Sequence, residues 1–569
     1  MTAIRSTTMR TPGIVLVLVL VASPLLAQAA VPDTVSIRVA LDRPVGELEH
    51  VWAWFGYDEP NYTYMPHGRK LLSQIAGAMP VPVYVRAHNL LTSGDGEAGL
   101  KWGSTNAYTE DERGNPVYTW TLVDSIFDRY VERGMRPLVE IGFMPEDLSS
   151  RPAPYRHRWA PDRPYDEIYT GWTYPPDDYT RWADLVYEWV RHSVERYGRE
   201  EVETWYWEPW NEPDIGYWRG TTEEFLKLYD YTVDAVLRAL PTATVGGPHT
   251  TGPGHESGIT FLRAFLDHVT TGTNHRTGET GSPLHFIAFH AKGFPRIVDG
   301  HVRMNLGLQL RDIASGFEIV ASYPELRDLP VVIGESDPEG CAACSVADNP
   351  HNAYRNGTLY SSYTAAAFPR KIELADRNGI DLAGAVTWAF QFENQPWFAG
   401  FRSLATNGVA KPVLNVFRMF GMMEGQRVEV TGGTGYDAMA IVTGSVRERP
   451  DIHAFAARSD RSATVLVWNY HDDDVAAPAS DVAVTLVGLP AGRLKLRHYR
   501  IDRDHSNAYE VWKAMGSPQD PTAEQYRELE RASDLALLEP DRTLDASDGT
   551  AVVRMELPRQ AVSLLRLSW

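Results

Sequence analysis

Two glutamates in this chain occupy positions where a carboxylate needs a reason to be. Glu212 lies in the run Trp207-Glu-Pro-Trp-Asn-Glu-Pro213 and Glu335 ends Val331-Val-Ile-Gly-Glu335, each just after a short apolar or aromatic stretch with strand character. A charge at an apolar strand end is costly unless it is paired or employed. Most of the 74 aspartates and glutamates are ordinary solvated or ion-paired surface groups; one hemmed in by Trp207, Trp210, Asn211 and Pro213 is not. Two carboxyl groups facing each other across a sugar can split a glycosidic bond. A gap of about 5–5.5 Å gives retention through a covalent intermediate, and about 6.5–9.5 Å leaves room for water and gives inversion.

Both glutamates need a scaffold that gathers strand ends. From about His50 to Gly421, strand-like and helix-like segments alternate. The strand candidates are Val51–Phe55, Val81–Arg86, Pro137–Ile141, Thr204–Trp207, Thr244–Gly246, Phe286–His290, Val331–Ile333 and Gly384–Trp388. Between them run amphipathic stretches with a helical period, such as Tyr179 to Tyr197 and Phe225 to Leu240, the second preceded by the capping-box pattern Thr221-Thr-Glu-Glu224. Eight strand–helix pairs predict a (β/α)8 barrel, whose catalytic groups collect at the C-terminal strand ends. An open doubly wound sheet would want a Gly-rich phosphate loop after the first strand, and none is present. Glu212 and Glu335 then follow strands four and seven, across the barrel axis from each other.

After Gly421 the texture changes to short alternating strands, such as Ala463–Trp468, Val482–Leu486 and Ala561–Trp569, which predict an antiparallel β-sandwich. Thr34–Ala40 alternates in the same way. The expected organisation is a leader over residues 1–30, an N-terminal strand joining the sandwich over 31–49, the barrel over 50–424 and the sandwich over 425–569. The leader rests on Arg5 and Arg10, a short apolar run from Gly13 to Ala22, and Ala27-Gln-Ala29 as a cleavage site. That is a secretory signal pattern, too short and too interrupted by Pro24 to span a bilayer. The expectation is a secreted or periplasmic protein, with no membrane partner once the signal is removed.

A net charge of -20 argues against a nucleic-acid partner, because phosphates demand a basic face. The two cysteines form Cys341-Ala-Ala-Cys344, short of a zinc site and open to a local disulfide in an oxidising compartment. No His-rich metal spacing appears, Asp472-Asp-Asp474 is expected to be a solvated loop, and neither metal nor other cofactor is predicted. The sequence leaves the oligomeric state undetermined.

Taken together, several segments resemble glycoside hydrolase family 39, which holds β-xylosidases and α-L-iduronidases. The strand-four Trp-Asn-Glu-Pro and the strand-seven glutamate are similar to those of the wider clan of retaining barrel glycosidases. Val83-Tyr-Val-Arg-Ala-His88 resembles the family's strand-two segment. Trp388 to Pro412, with Phe392-Glu393, Trp397-Phe-Ala-Gly400 and Lys411-Pro412, resembles its strand-eight loop. Arg500-Ile-Asp-Arg-Asp-His-Ser-Asn507 and Trp512 to Pro518 resemble its sandwich motif.

The resemblance implies a retaining exo-glycosidase acting on an oligosaccharide or glycoside, β-xylosidase-like before other specificities. By position, Glu212 would be the general acid/base, Glu335 the nucleophile and Asn211 a partner of the sugar 2-hydroxyl. His290 and Lys292, at the end of strand six, are placed to favour the charged form of Glu335. Arg86 and His88 are candidates for hydroxyl contacts, Trp388 for the pocket platform, and Glu393 for a further substrate contact; each also has an ordinary core or surface role open to it. Two departures complicate xylose specificity. Ser336-Asp337-Pro338 is more similar to the iduronidase branch, and the strand-eight loop is short. An iduronide carboxylate would need a cation such as Lys292 or Arg402. The alternatives are therefore an iduronidase-like or α-L-arabinoside-active enzyme, and, in a different class, a catalytically silent carbohydrate-binding protein.

Overall fold

The computed structural model of the protein describes residues 34–161 and 163–569; the expected leader lies outside the described residues. The first body is a closed barrel of parallel strands. Trp54–Tyr57, Tyr84–Ala87, Arg136–Glu140, Tyr206–Glu208, Thr244–Thr250, Phe286–Lys292 and Val331–Asp337 are the first seven. The eighth is split: Leu382–Ala385 pairs with strand seven, and Thr387–Trp388 pairs back onto strand one through Thr387 opposite Phe55 and Trp388 opposite Gly56. Closure leaves the barrel no open edge. Strands one and two begin about three residues later than the sequence pattern implies. For strand two the reason is Pro80 and Pro82, which have no N–H to give to a ladder.

A helix follows every strand, from Pro66–Ala78 after the first to Pro412–Phe420 after the eighth. Their starts are chemically marked. Asp178 accepts from the Thr180 and Arg181 backbone N–H groups at the start of Tyr179–Tyr197, and Thr221 and Glu224 form the reciprocal capping box of Thr222–Ala239. Such caps satisfy donors that the first turn leaves orphaned. The apolar face of each helix packs on strands buried on both sides, and this gives Phe286–Lys292 and Val331–Asp337 their nearly continuous burial.

The second body is a ten-stranded sheet. It folds over so that Val39, Val484 and Val553 from one end share an apolar cluster with Val465, Leu496 and Leu567 from the other. The N-terminal strand Val35–Glu47 lies inside this sheet, antiparallel to Gln426–Gly432 but parallel to Ser480–Val487. The sandwich is thus not wholly antiparallel. A strand arriving from the far end of the chain needs no hairpin, so it is free to run in either direction.

Trp468, Tyr470, Val562 and Leu564 of the sandwich belong to the main barrel core, and Ser362 on the helix Thr358–Asn378 donates to Gln560 across the junction at 2.6 Å. Asp472-Asp-Asp474 is part of that junction rather than a solvated loop. Asp472 is fully buried and accepts from Ser445 and from Tyr470, and Asp473 pairs with Arg303. Hydrogen-bond donors from three segments make the burial of these carboxylates tolerable. No described helix is long and apolar enough to cross a membrane.

Candidate active site

The C-terminal strand ends bring Glu212 and Glu335 together. Glu335 is the fifth residue of strand seven. Glu212 sits four residues beyond strand four with a left-handed φ of 40°, held by its own N–H donating to the His249 carbonyl at 2.9 Å. An oxygen of each carboxylate and a ring nitrogen of His290 all lie within 4.8 Å of one another. That separation belongs with the roughly 5–5.5 Å arrangement of paired carboxylates rather than the roughly 6.5–9.5 Å one. Both side chains are nearly enclosed, 12% and 6% exposed.

Their surroundings differ sharply. Burial, the largest single influence, would raise the Glu335 carboxyl, but the Lys292 ammonium in contact with it, together with His290, His88 and Arg86, outweighs burial and holds it far below the usual carboxylate range; Arg86 NH1 is 3.4 Å away. Glu212 has no Lys or Arg in contact among the described residues. Burial, reinforced by repulsion from the ionised Glu335, pushes it up to about 7. Among the described residues its one polar side-chain contact is His290 Nδ1, 2.9 Å from Oε1. Two carboxyls a few ångströms apart are thereby separated into one acid and one anion.

Arg86, fully buried at the end of strand two, is the hub. Its Nε donates to Glu208 Oε1 at 2.6 Å and its NH2 to Asn211 Oδ1 at 3.1 Å, while Glu140 Oε2 lies 2.9 Å away. Asn211 is thereby oriented with its Nδ2 buried and unpartnered. His88 lies with Nδ1 3.0 Å from Asp58 and Nε2 3.1 Å from Arg86 NH1. Because the guanidinium can only donate, the His88 proton belongs on Nδ1. Burial keeps this imidazole neutral and, with repulsion from Glu208 and Glu335, drives Glu140 well above the usual carboxylate range despite Arg86.

Trp388 forms the floor beside these groups. Its ring centroid is 4.3 Å from that of His88 and 5.0 Å from the Arg86 guanidinium, and its Nε1 donates to Asp58 at 2.9 Å. The position requires glycine at 56, where a Cβ would come within 2.4 Å of the indole. Asp58 also pairs with Lys101, and Phe143, Trp172 and Tyr217 form an aromatic wall against His88.

Of the residues expected from sequence, Glu212, Glu335, Asn211, Arg86, His88, His290, Lys292 and Trp388 converge. Glu393 does not join them. Its Oε2 accepts the His67 backbone N–H at 3.0 Å in the first turn of the helix Pro66–Ala78, where a carboxylate answers the orphan donors and the helix dipole. Arg402 is likewise committed: it donates to the Trp388, Glu339 and Gly340 carbonyls and pairs with Asp337. Sequence reasoning missed Glu140, Glu208, His249, Asp58 and Lys101. Glu140 and Glu208 carried a usable signal, since each is an acidic residue that directly follows apolar or aromatic strand residues. Cys341 and Cys344 are disulfide-bonded in the loop after strand seven.

A closed barrel with two opposed carboxylates of contrasting environment at its C-terminal mouth is the equipment of a glycoside hydrolase. The chain belongs to glycosyl hydrolases family 39, whose model matches residues 36–547. It is 28% identical over 430 residues to a β-xylosidase of Caldicellulosiruptor saccharolyticus, covering 74% of this chain and 77% of that protein. It is 27% identical over 412 residues to the α-L-iduronidase of Mus musculus, covering 68% of this chain and 61% of that protein. Its fold is shared with a monomeric β-xylosidase of Caulobacter crescentus CB15, at a TM-score of 0.71 and 22% identity over 94% of this chain and 99% of the other.

The site makes a stability prediction. The folded-state pKa of Glu212 is raised, so its protonated form favours the native state and that contribution is lost as pH rises through about 7. Glu212→Gln mimics the protonated form. It should leave stability unchanged below about pH 4 and make the protein more stable than wild type above neutrality, in urea melts across pH. Equal melts at alkaline pH would show that Glu212 carries no such cost.

Proposed function

We propose that this protein is a retaining exo-glycosidase of family 39 that removes a neutral terminal sugar, β-xyloside before other glycosides, with Glu335 as nucleophile and Glu212 as general acid/base. The observation that carries the reading is the contrast between the two carboxyls: one held ionised by Lys292, the other kept protonated by burial and repulsion. Glu335 attacks the anomeric carbon while Glu212 gives its proton to the departing oxygen, forming a glycosyl ester. Water, losing a proton to the now ionised Glu212, then attacks the same carbon and releases Glu335. The unpartnered Asn211 amide suits the sugar 2-hydroxyl, and the Trp388 face suits its apolar side. Near-complete enclosure of both glutamates favours a chain end over a chain interior.

Neutrality of the sugar rests on the cations. Arg86 faces Glu208, Glu140 and Glu335; Lys101 faces Asp58; Lys292 faces Glu335 and Asp337; Arg402 faces Asp337. Each is already matched, so a substrate carboxylate would enter without a partner, at a cost of several kcal/mol by order of magnitude. One observation favours the iduronidase-like alternative: Lys292 keeps 20% of its side chain exposed in the pocket, where a uronide could compete for it. Export is part of the proposal. The basic and apolar leader pattern supports it, as does the Cys341–Cys344 crosslink; a mature N-terminus near residue 30 is the expected sequencing result, and an uncleaved Met1 would refute it.

Glu335→Ala should lose turnover on aryl β-xyloside, and azide should restore it while producing a glycosyl azide of inverted configuration. Glu212→Gln should lose about 10²–10⁴-fold on poor leaving groups and far less on activated ones. Aryl β-xyloside should outpace aryl α-L-iduronide on wild type. Retained turnover in Glu335→Ala would remove the nucleophile assignment, and an iduronide rate that exceeds the xyloside rate and collapses in Lys292→Met would replace the neutral-sugar reading.

A further inference from the structure

Behind Glu212 runs a line of buried groups that sequence motifs do not announce. His290 Nδ1 faces Glu212 Oε1 at 2.9 Å, His290 Nε2 faces His249 Nδ1 at 3.3 Å, and His249 Nε2 contacts Glu208 Oε2. Both imidazoles are buried, at 1% and 0% exposure. The line is built with some effort. His249 has a left-handed φ of 57°, a conformation that side chains resist. Residue 334 must be glycine, because a Cβ there would lie 2.0 Å from His249 Nδ1 and 3.0 Å from His290 Nε2.

The far end decides the direction of every bond. Glu208 accepts Arg86 Nε at 2.6 Å, and its carboxyl is lowered: burial opposes, but Arg86 and then His249 prevail. An ionised carboxylate only accepts, so the His249 proton lies on Nε2. A neutral His249 then presents a lone pair at Nδ1, which draws the His290 proton onto Nε2. That leaves a lone pair on His290 Nδ1, and the hydrogen bond to Glu212 exists only if Glu212 supplies the proton.

We propose that Glu208 and His249 are positioning residues that, through His290, hold the acid/base proton on Glu212. They touch no substrate; they set the tautomer of the imidazole that does touch Glu212. The inference rests on the acid/base reading of Glu212 and explains how its protonated form is selected by hydrogen bonding as well as by burial. Without His249, the His290 ring is free to take its other tautomer and donate from Nδ1, which stabilises ionised Glu212 instead.

Other groups also act on Glu212: Glu335 from strand seven, Lys292 from strand six, and Arg86 and His88 from strand two. Asp214, Tyr169 and Tyr217 face it from the loops. A change at His249 removes none of these groups, and the shift below is read with all of them present.

The test is His249→Phe in the full-length enzyme, read by the pH dependence of kcat/KM and by the leaving-group dependence of the rate. The alkaline limb should move to lower pH by about one unit or more, of the size a lost or reversed hydrogen bond produces. At neutral pH, poor leaving groups should slow at least about tenfold more than activated ones. Should His249→Phe fail to fold by circular dichroism, His249→Ala with added imidazole serves, with the limb expected to return toward the wild-type position. An unchanged alkaline limb in a folded variant overturns the proposal. Failure of the parent reading looks different: Glu212→Gln would then show no leaving-group dependence at all.

Discussion

One guanidinium with no access to water sets the terms for this site. Arg86 emerges from strand two into a space that also receives Glu140, Glu208, Asn211 and Glu335 from three other strand ends. Burying several carboxylates around one point is prohibitive without a fixed counter-charge. The planar, five-donor fork of arginine meets these partners in fixed directions, where a lysine ammonium has only three donors. Everything else at the mouth is arranged in relation to that charge, including Asn211, the His88 tautomer and the ionised Glu208 that anchors two imidazoles.

The asymmetry between the catalytic candidates follows from how far this charge reaches. Glu335 lies within its range and also touches Lys292; Glu212 lies beyond contact with either cation and meets a neutral imidazole instead. The same low-dielectric interior therefore acts in opposite senses on two identical side chains. Lys292 in turn is steadied by Asp337, which accepts the Trp388 N–H and pairs with Arg402. The platform, the cation beside Glu335 and the loop carrying the Cys341–Cys344 crosslink are thus joined through one aspartate.

Much of this was legible in the sequence because it depends on strand ends. Period and length place all eight strands, and that brings Glu212 and Glu335 to the same end of the barrel. The capping box at Thr221 shows equally well, since it is a local four-residue device. Less visible were groups whose role depends on partners far along the chain. His249 looks like any histidine near a strand end until Glu208, His290 and the missing side chain at 334 surround it. The partners of Glu393 and Arg402 were hidden for the same reason: a motif carries their identity but not the direction in which the side chain turns. The parallel pairing of Val35–Glu47 with Ser480–Val487 is also invisible to alternation, which is the same in both directions.

The central claim, that Arg86 is the common counter-charge of the site, is most directly tested by the stability of Arg86→Met as a function of pH. Removing the guanidinium leaves its carboxylate partners buried and unpaired, so the variant should be about 3–5 kcal/mol less stable near neutral pH. The deficit should shrink steadily as acid protonates Glu208 and Glu335, whose pKa values rise once the cation is gone. A small loss, or one of the same size at every pH, would show that the carboxylates do not depend on Arg86 and would contradict the account.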